Sequence, residues 1–147
     1  TGPNSKQNLN HNADWFFFVG DMSAIPAISV NLESLPSKSK GFIILEIISK
    51  NDVQRLNAPT GLNIIWVVKH RDTKKDLLIE KVISTVWPTG KPFIWVACEF
   101  SKMVILRHYF KVQKKIQKED IYISSYWKIG LNQEEHKIIK KKDSYSN

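Results

Sequence analysis

Four short groups of residues carry the functional groups that could do chemistry on a small ligand. The first is Gly20-Asp21-Met22-Ser23-Ala24, running on into Ile25-Pro26-Ala27. Gly20 lets a chain leave an extended segment sharply, Asp21 or Ser23 can cap a helix, and Ala24 and Ala27 permit close approach. Pro26 is tolerated within a helix's first turn, where its missing N–H has no intrahelical partner. Exposed N–H groups and the positive helix end could there hold a pyrophosphate. The same residues also read as a well-capped strand-to-helix turn without a ligand, because the stricter G-x-G-x-x-G spacing is absent. The second group, Lys69, His70, Arg71, Lys74 and Lys75, is a basic loop that could hold an adenosine 2′-phosphate or could simply be solvated. In the third, Cys98-Glu99-Phe100-Ser101, Glu99 could orient a ribose or a nicotinamide amide, or cap the next helix. The fourth, Ser125-Tyr126-Trp127-Lys128, offers Tyr126 and Trp127 either as a stacking surface or as core.

Each group follows an apolar run, and those runs must position it. Trp15–Val19, Phe42–Ile48, Asn63–Val68, Pro92–Ala97 and Asp120–Ser124 are rich in β-branched and aromatic residues. All but the last are nearly continuous, the pattern of strands covered on both faces in a parallel sheet. Ile25, Ile28, Leu32 and Leu35 recur at helical spacing before Pro36 to Gly41 break the pattern. Met103, Leu106 and Phe110 mark a second helix running to about Ile116, and Lys74–Val86 a third. Val53–Leu56 reads as a single turn, and the segment from Leu131 as a helix that frays after Lys142. Strand and helix alternation predicts an α/β fold, an open, mostly parallel, doubly wound sheet of about five strands with flanking helices. Ligands bind such sheets outside the carboxyl ends of the strands, where the four groups would converge.

Composition narrows the chemistry. The 147 residues suffice for one domain, and 42% hydrophobic with 24% charged residues excludes a disordered or collagen-like chain. A single cysteine, Cys98, excludes an internal disulfide framework and any multi-cysteine zinc site. His11, His70, His108 and His136 are dispersed and share no metal-ligand spacing with Cys98, so no bound metal is expected. No Walker loop and no G-x-S-x-G elbow occurs. The net charge of +8 attracts anions such as nucleic acid, phosphorylated cofactors or an acidic partner, and more than half of it falls after Leu106. No nucleic-acid-binding motif accompanies it, so no specific nucleic acid is expected. No apolar run approaches the roughly 20 residues of a membrane span, and the polar start is not a secretory signal. A cytoplasmic protein is expected.

The same loops carry a family resemblance. Asp14-Trp15 leading into Gly20-Asp21-Met22-Ser23-Ala24-Ile25-Pro26-Ala27-Ile28 is similar to a G-D-E-T-A-L-P-A-I block. Trp66 with Arg71, then Trp95-Val96-Ala97-Cys98-Glu99, then Arg107 and Tyr109 fall in order at W-x-x-x-R-like, W-V-A-G-E and R-x-Y-like elements. Ser124-Ser125-Tyr126-Trp127-Lys128-Ile129-Gly130 is similar to S-G-Y-W-R-x-G. In these ordered blocks, spanning about residues 13–136, the chain resembles the C-terminal domain of the siderophore-interacting protein family of flavin-dependent ferric-siderophore reductases.

The resemblance implies a ferredoxin-reductase-type nucleotide-binding domain over residues 13–142, with residues 1–12 as a linker and 143–147 as a frayed tail. It implies an FAD-binding β-barrel on the N-terminal side, since Thr1-Gly2-Pro3 resembles the barrel's exit. It also implies NAD(P)H, or ferredoxin in some members, as the electron source and a ferric siderophore as the substrate, with the isolated chain redox-inactive. Gly20, Asp21, Met22, Ser23 and Ala24 would hold the pyrophosphate region, Arg71 the adenosine phosphate, and Glu99 the nicotinamide, with Tyr126 and Trp127 on the flavin side. Cys98 and Ser125 replace family glycines. A non-catalytic module that has lost nicotinamide binding, or a ferredoxin-docking domain, is therefore the alternative.

Overall fold

Continuous apolar runs can be satisfied only where both faces of a strand are covered, and the central strands show this directly. The computed structural model describes residues 9–69, 71 and 74–146, with side chains to residue 144. Strands β1 (Trp15–Gly20) and β4 (Pro92–Glu99) are buried along their whole length. They pair with each other and with β2 (Lys40–Ile47) and β5 (Ile121–Trp127), while β3 (Gly61–Val68) lies outside β2. The order is β3-β2-β1-β4-β5, and every neighbouring pair is parallel. The expected doubly wound α/β sheet is present, and all of its strands are parallel.

Side chains alternate between two cores. Helix α1 (Ile25–Glu33) covers Phe16, Phe18, Ile43, Leu45 and Trp95 on one face. Helices α2 (Leu77–Ser84) and α3 (Phe100–His108) cover Trp15, Phe17, Val19, Ile44, Val96 and Cys98 on the other. The connection from β1 thus runs on one face and those from β3 and β4 on the opposite face. Strand order consequently reverses between β1 and β4. Gly41 is required where β2 enters beside β1: its φ is 140°, and a Cβ would fall 1.9 Å from the Phe16 carbonyl oxygen.

Several boundaries differ from expectation for local reasons. Helix α2 starts at Leu77 because the Asp76 carboxylate accepts the Ile79 N–H at 3.1 Å, an N-cap that leaves Lys74 and Lys75 outside. It stops at Ser84, short of Val86 and of the restricted residue before Pro88. The stripe expected to reach Ile116 splits at His108 into a π-turn over Tyr109–Gln113, closed by Lys115 at a φ of 57°. The single turn falls at Lys50–Asp52, where Ser49 and Asp52 form a capping box, and not at Val53–Leu56. Helix α4 runs from Gln133 to Ser146, past the expected fraying point. Two bonds from Arg107 on α3 to Asp143, at 2.6 and 3.0 Å, fasten that end.

Candidate functional site

The ends of all five strands meet at the carboxyl edge of the sheet, and Asp21, just after β1, ties its own turn to the ends of β4 and β5. Gly20 leaves no room for a side chain, since a Cβ would lie 2.9 Å from Ala24 Cβ and 3.1 Å from the Ala97 carbonyl oxygen. The chain therefore turns tightly over β4 and delivers Asp21 into a buried position. One carboxylate oxygen of Asp21 accepts the Ser23 N–H at 3.0 Å and the Ser23 hydroxyl. The other accepts the Glu99 N–H at 3.0 Å and the Trp127 indole N–H at 2.8 Å. Asp21 is thus bound to the protein on both oxygens, and the Ser23 N–H is already taken.

Glu99, at the end of β4, is 2% exposed. One of its oxygens caps α3 by accepting the Ser101 and Lys102 N–H groups at 3.0 and 3.4 Å. The other accepts the Ile129 N–H at 3.3 Å, which holds the turn after β5. Tyr126 and Trp127 separate. Tyr126 packs edge-on against Trp95 in the core beneath α1, and burial, followed by the adjacent Tyr122, pushes its phenol pKa well up. Trp127 remains 38% exposed at the edge, fixed by its bond to Asp21.

Two adjoining cavities open at this edge. The first, about 280 Å³, is lined by Asp21, Met22, Ser23, Glu46, Ile47, Ile48, Lys69 and Trp127. The second, about 230 Å³, lies toward α2 and α3 and shares Glu46 and Lys69 with the first. Between them sits a charge cluster. Lys102 on α3 donates to one oxygen of Glu46 at 2.5 Å and lies 3.5 Å from Asp76, the cap of α2. Burial pulls the Lys102 ammonium toward neutrality, but Glu46 and Asp76 outweigh it and hold its pKa above the ordinary lysine value. Arg71 is exposed and lines neither of these cavities. Lys75 lines the second cavity, whereas His70 falls outside the described residues.

The two departures from glycine have structural partners. Cys98 is fully buried among the residues beneath α2 and α3, and burial, reinforced by Asp21, drives its thiol far from ionisation. Ser125 is hydrogen-bonded through its hydroxyl to Nε2 of the buried His136, which seats α4 on β5. Burial and then Lys140 lower the His136 pKa, against a smaller opposing effect of Glu99.

The structure brings Asp21, Met22, Ser23 and Trp127 together, and leaves Arg71 and Tyr126 apart from them. Sequence reasoning missed Glu46 and Lys102. The available signal was the lone carboxylate inside the run Phe42–Ile48, because a buried charge demands a cationic partner. Among the described residues no His, Cys, Asp and Glu group could hold a metal ion, and no helix is long and apolar enough to cross a membrane.

Known proteins resemble this chain in sequence and fold. The family model described as siderophore-interacting protein matches residues 13–130. The ferric vibriobactin reductase ViuB of Vibrio cholerae is 32% identical over 135 residues, covering 90% of this chain and 50% of that protein. The ferric acinetobactin reductase of Acinetobacter baumannii is 25% identical over 115 residues, covering 78% and 40%. The solved structure of the siderophore-interacting protein SipS from Aeromonas hydrophila superposes with a TM-score of 0.81 at 26% identity, covering 92% of this chain and 54% of that one. The chain spans about half the length of the curated relatives it matches.

Proposed function

This chain belongs to the siderophore-interacting protein family, and we propose that it forms the reductant-binding half of a flavin-dependent ferric-siderophore reductase. The observation that carries this reading is the cleft at the carboxyl edge, where a doubly wound sheet takes its ligand beside the point of strand reversal. Its lining fits one end of a nicotinamide dinucleotide. Met22, Ile47, Ile48 and Trp127 offer apolar walls to a ring, and Lys69 offers a cation to a phosphate. Small-molecule sites run to roughly 300–1,000 Å³, so the first cavity suits an adenosine-sized portion and the adjoining one extends the trough.

When bound, NAD(P)H supplies the electrons that, through a flavin, reduce siderophore-held Fe(III) to Fe(II). The chain's own residues bind and orient. Gly20, Met22, Ser23 and Ala24 shape the turn against which the dinucleotide lies, and Asp21 holds Trp127 at the edge of the cleft. Glu99 acts by fixing the start of α3 and the turn at Ile129. Arg71 reaches the adenosine end only if its exposed side chain swings toward Lys69. The net charge of +8 steers anionic ligands, including an acidic ferric siderophore, toward the molecule. Ferredoxin is the other donor that the family resemblance offers, and a cleft with apolar walls favours the nicotinamide.

Calorimetric titration of the chain with NADH and NADPH at two salt concentrations tests this reading. Saturable binding of either nucleotide supports it, and no binding of either refutes it.

A further inference from the structure

Glu46 is a carboxylate in the wrong surroundings for a strand residue. It stands next to last in β2, between the buried Leu45 and Ile47, and its side chain is only 8% exposed. Burying a charge there is unfavourable unless it is paired, and Lys102 pairs with one oxygen. The pairing is incomplete, because no described residue donates to the other oxygen, Oε1. That oxygen is not sealed in the core either. Among the described residues the only buried side-chain polar atoms without a partner are the indole nitrogens of Trp87 and Trp95. Glu46 lines both cavities, so it presents an acceptor to the trough.

We propose that Glu46 makes the cleft selective for a dinucleotide without a 2′-phosphate, NADH over NADPH, by accepting the 2′-hydroxyl of the adenosine ribose. The inference rests on the reductant-binding reading above. An acidic residue beyond the first turn of a dinucleotide fold accepts the ribose hydroxyls, whereas a 2′-phosphate calls for a nearby arginine. Here the acid lines the cleft, and the candidate arginine, Arg71, does not.

The surrounding charges agree. Lys102 is committed to Glu46 and Asp76, so its charge is not available to a phosphate. Asp76 and Glu99 line the second cavity alongside Glu46, against Lys69, Lys75 and Lys102. A 2′-phosphate at the first cavity would meet the Glu46 carboxylate with only Lys69 as a counter-charge in the lining. A ribose hydroxyl donates to the same carboxylate without repulsion.

The test is titration of the full chain with NADH and NADPH, and with their adenosine halves 5′-AMP and adenosine 2′,5′-bisphosphate. A site built to accept a hydroxyl should bind NADH about tenfold or more tighter than NADPH, and 5′-AMP tighter than the bisphosphate by a similar factor. Glu46→Gln should bring both ratios close to one by weakening NADH and strengthening NADPH. Equal or tighter binding of the two 2′-phosphorylated ligands overturns the inference and leaves the reductant-binding reading intact. Ratios that survive Glu46→Gln but collapse in Arg71→Ala overturn it in favour of the basic loop. No binding of any of the four ligands overturns both. Should Glu46→Gln fail to fold, the two ratios in the unmodified chain decide the matter.

Discussion

Asp21→Asn is the substitution that most directly probes how the edge of the sheet is built. The change keeps the side chain's shape but replaces one oxygen with an NH2 group. Both oxygens face donors: the Ser23 N–H and hydroxyl on one side, and the Glu99 N–H and Trp127 indole N–H on the other. Turned toward Glu99 and Trp127, the NH2 meets two N–H donors and both bonds are lost. Turned toward Ser23, it loses the Ser23 N–H while the hydroxyl rotates to accept from it, and the bonds that remain lose the carboxylate's charge. Either way about two bonds' worth of stabilisation goes. Bonds to an ionised acceptor contribute roughly 1.5–3 kcal/mol each. Trp127 is 38% exposed and can recover part of its loss from water, so the expected destabilisation is about 3 kcal/mol. With a urea m-value of about 1–3 kcal/mol/M, the unfolding midpoint should fall by roughly 1–3 M at unchanged m.

Trp127→Phe, by contrast, removes one donor from a carboxylate that keeps its other partners, and should cost about 1 kcal/mol. The double variant should cost less than the sum of the two by up to about 1 kcal/mol, since in Asp21→Asn the indole has already lost its charged acceptor. An Asp21→Asn chain within about 0.5 kcal/mol of the parent, the range of an inconsequential surface change, would refute the reasoning. Asp21 would then be held in place by its surroundings without supporting them.

Three further outcomes follow from other contacts. Gly20→Ala forces a Cβ against Ala24, Ile28 and the Ala97 carbonyl, and should cost about 1–3 kcal/mol in the same urea experiment. His136, with its folded pKa lowered by burial and Lys140, binds fewer protons folded than unfolded. Stability should therefore fall as pH drops below about 6.5 and return as pH rises, and midpoints at pH 7.5 and 5.5 should converge in His136→Gln. Cys98, buried and pushed away from ionisation, should resist a thiol–disulfide exchange reagent in native buffer and react only as fast as the chain unfolds.

The sheet was legible because its strands announce themselves. Runs such as Trp15–Val19 and Pro92–Ala97 contain no polar face, and only a strand covered on both sides tolerates that. Helix limits were less legible, because they depend on caps whose competitors look alike in sequence. Lys74 to Asp76 all precede an apolar stripe, and only the geometry shows Asp76 turned back onto the Ile79 N–H. The far end of α4 was read as fraying because a lysine run offers nothing to bury. What secures it is Arg107, a residue of another helix.

The candidate site was legible in its location and much less so in its wiring. Spacing showed that Asp21 could cap its own turn, and it does so through the Ser23 N–H. Its other two partners lie 78 and 106 residues away, and no local pattern encodes a bond of that range. The separation of Tyr126 from Trp127 was within reach, because successive residues of a strand point to opposite faces and two such rings cannot share one surface. Glu46 was within reach too. A single carboxylate between Leu45 and Ile47 breaks an otherwise apolar run. Lys102 offsets the cost of that break through one carboxylate oxygen, and the oxygen it leaves over faces the cavity, which is the feature the proposed discrimination between riboses rests on.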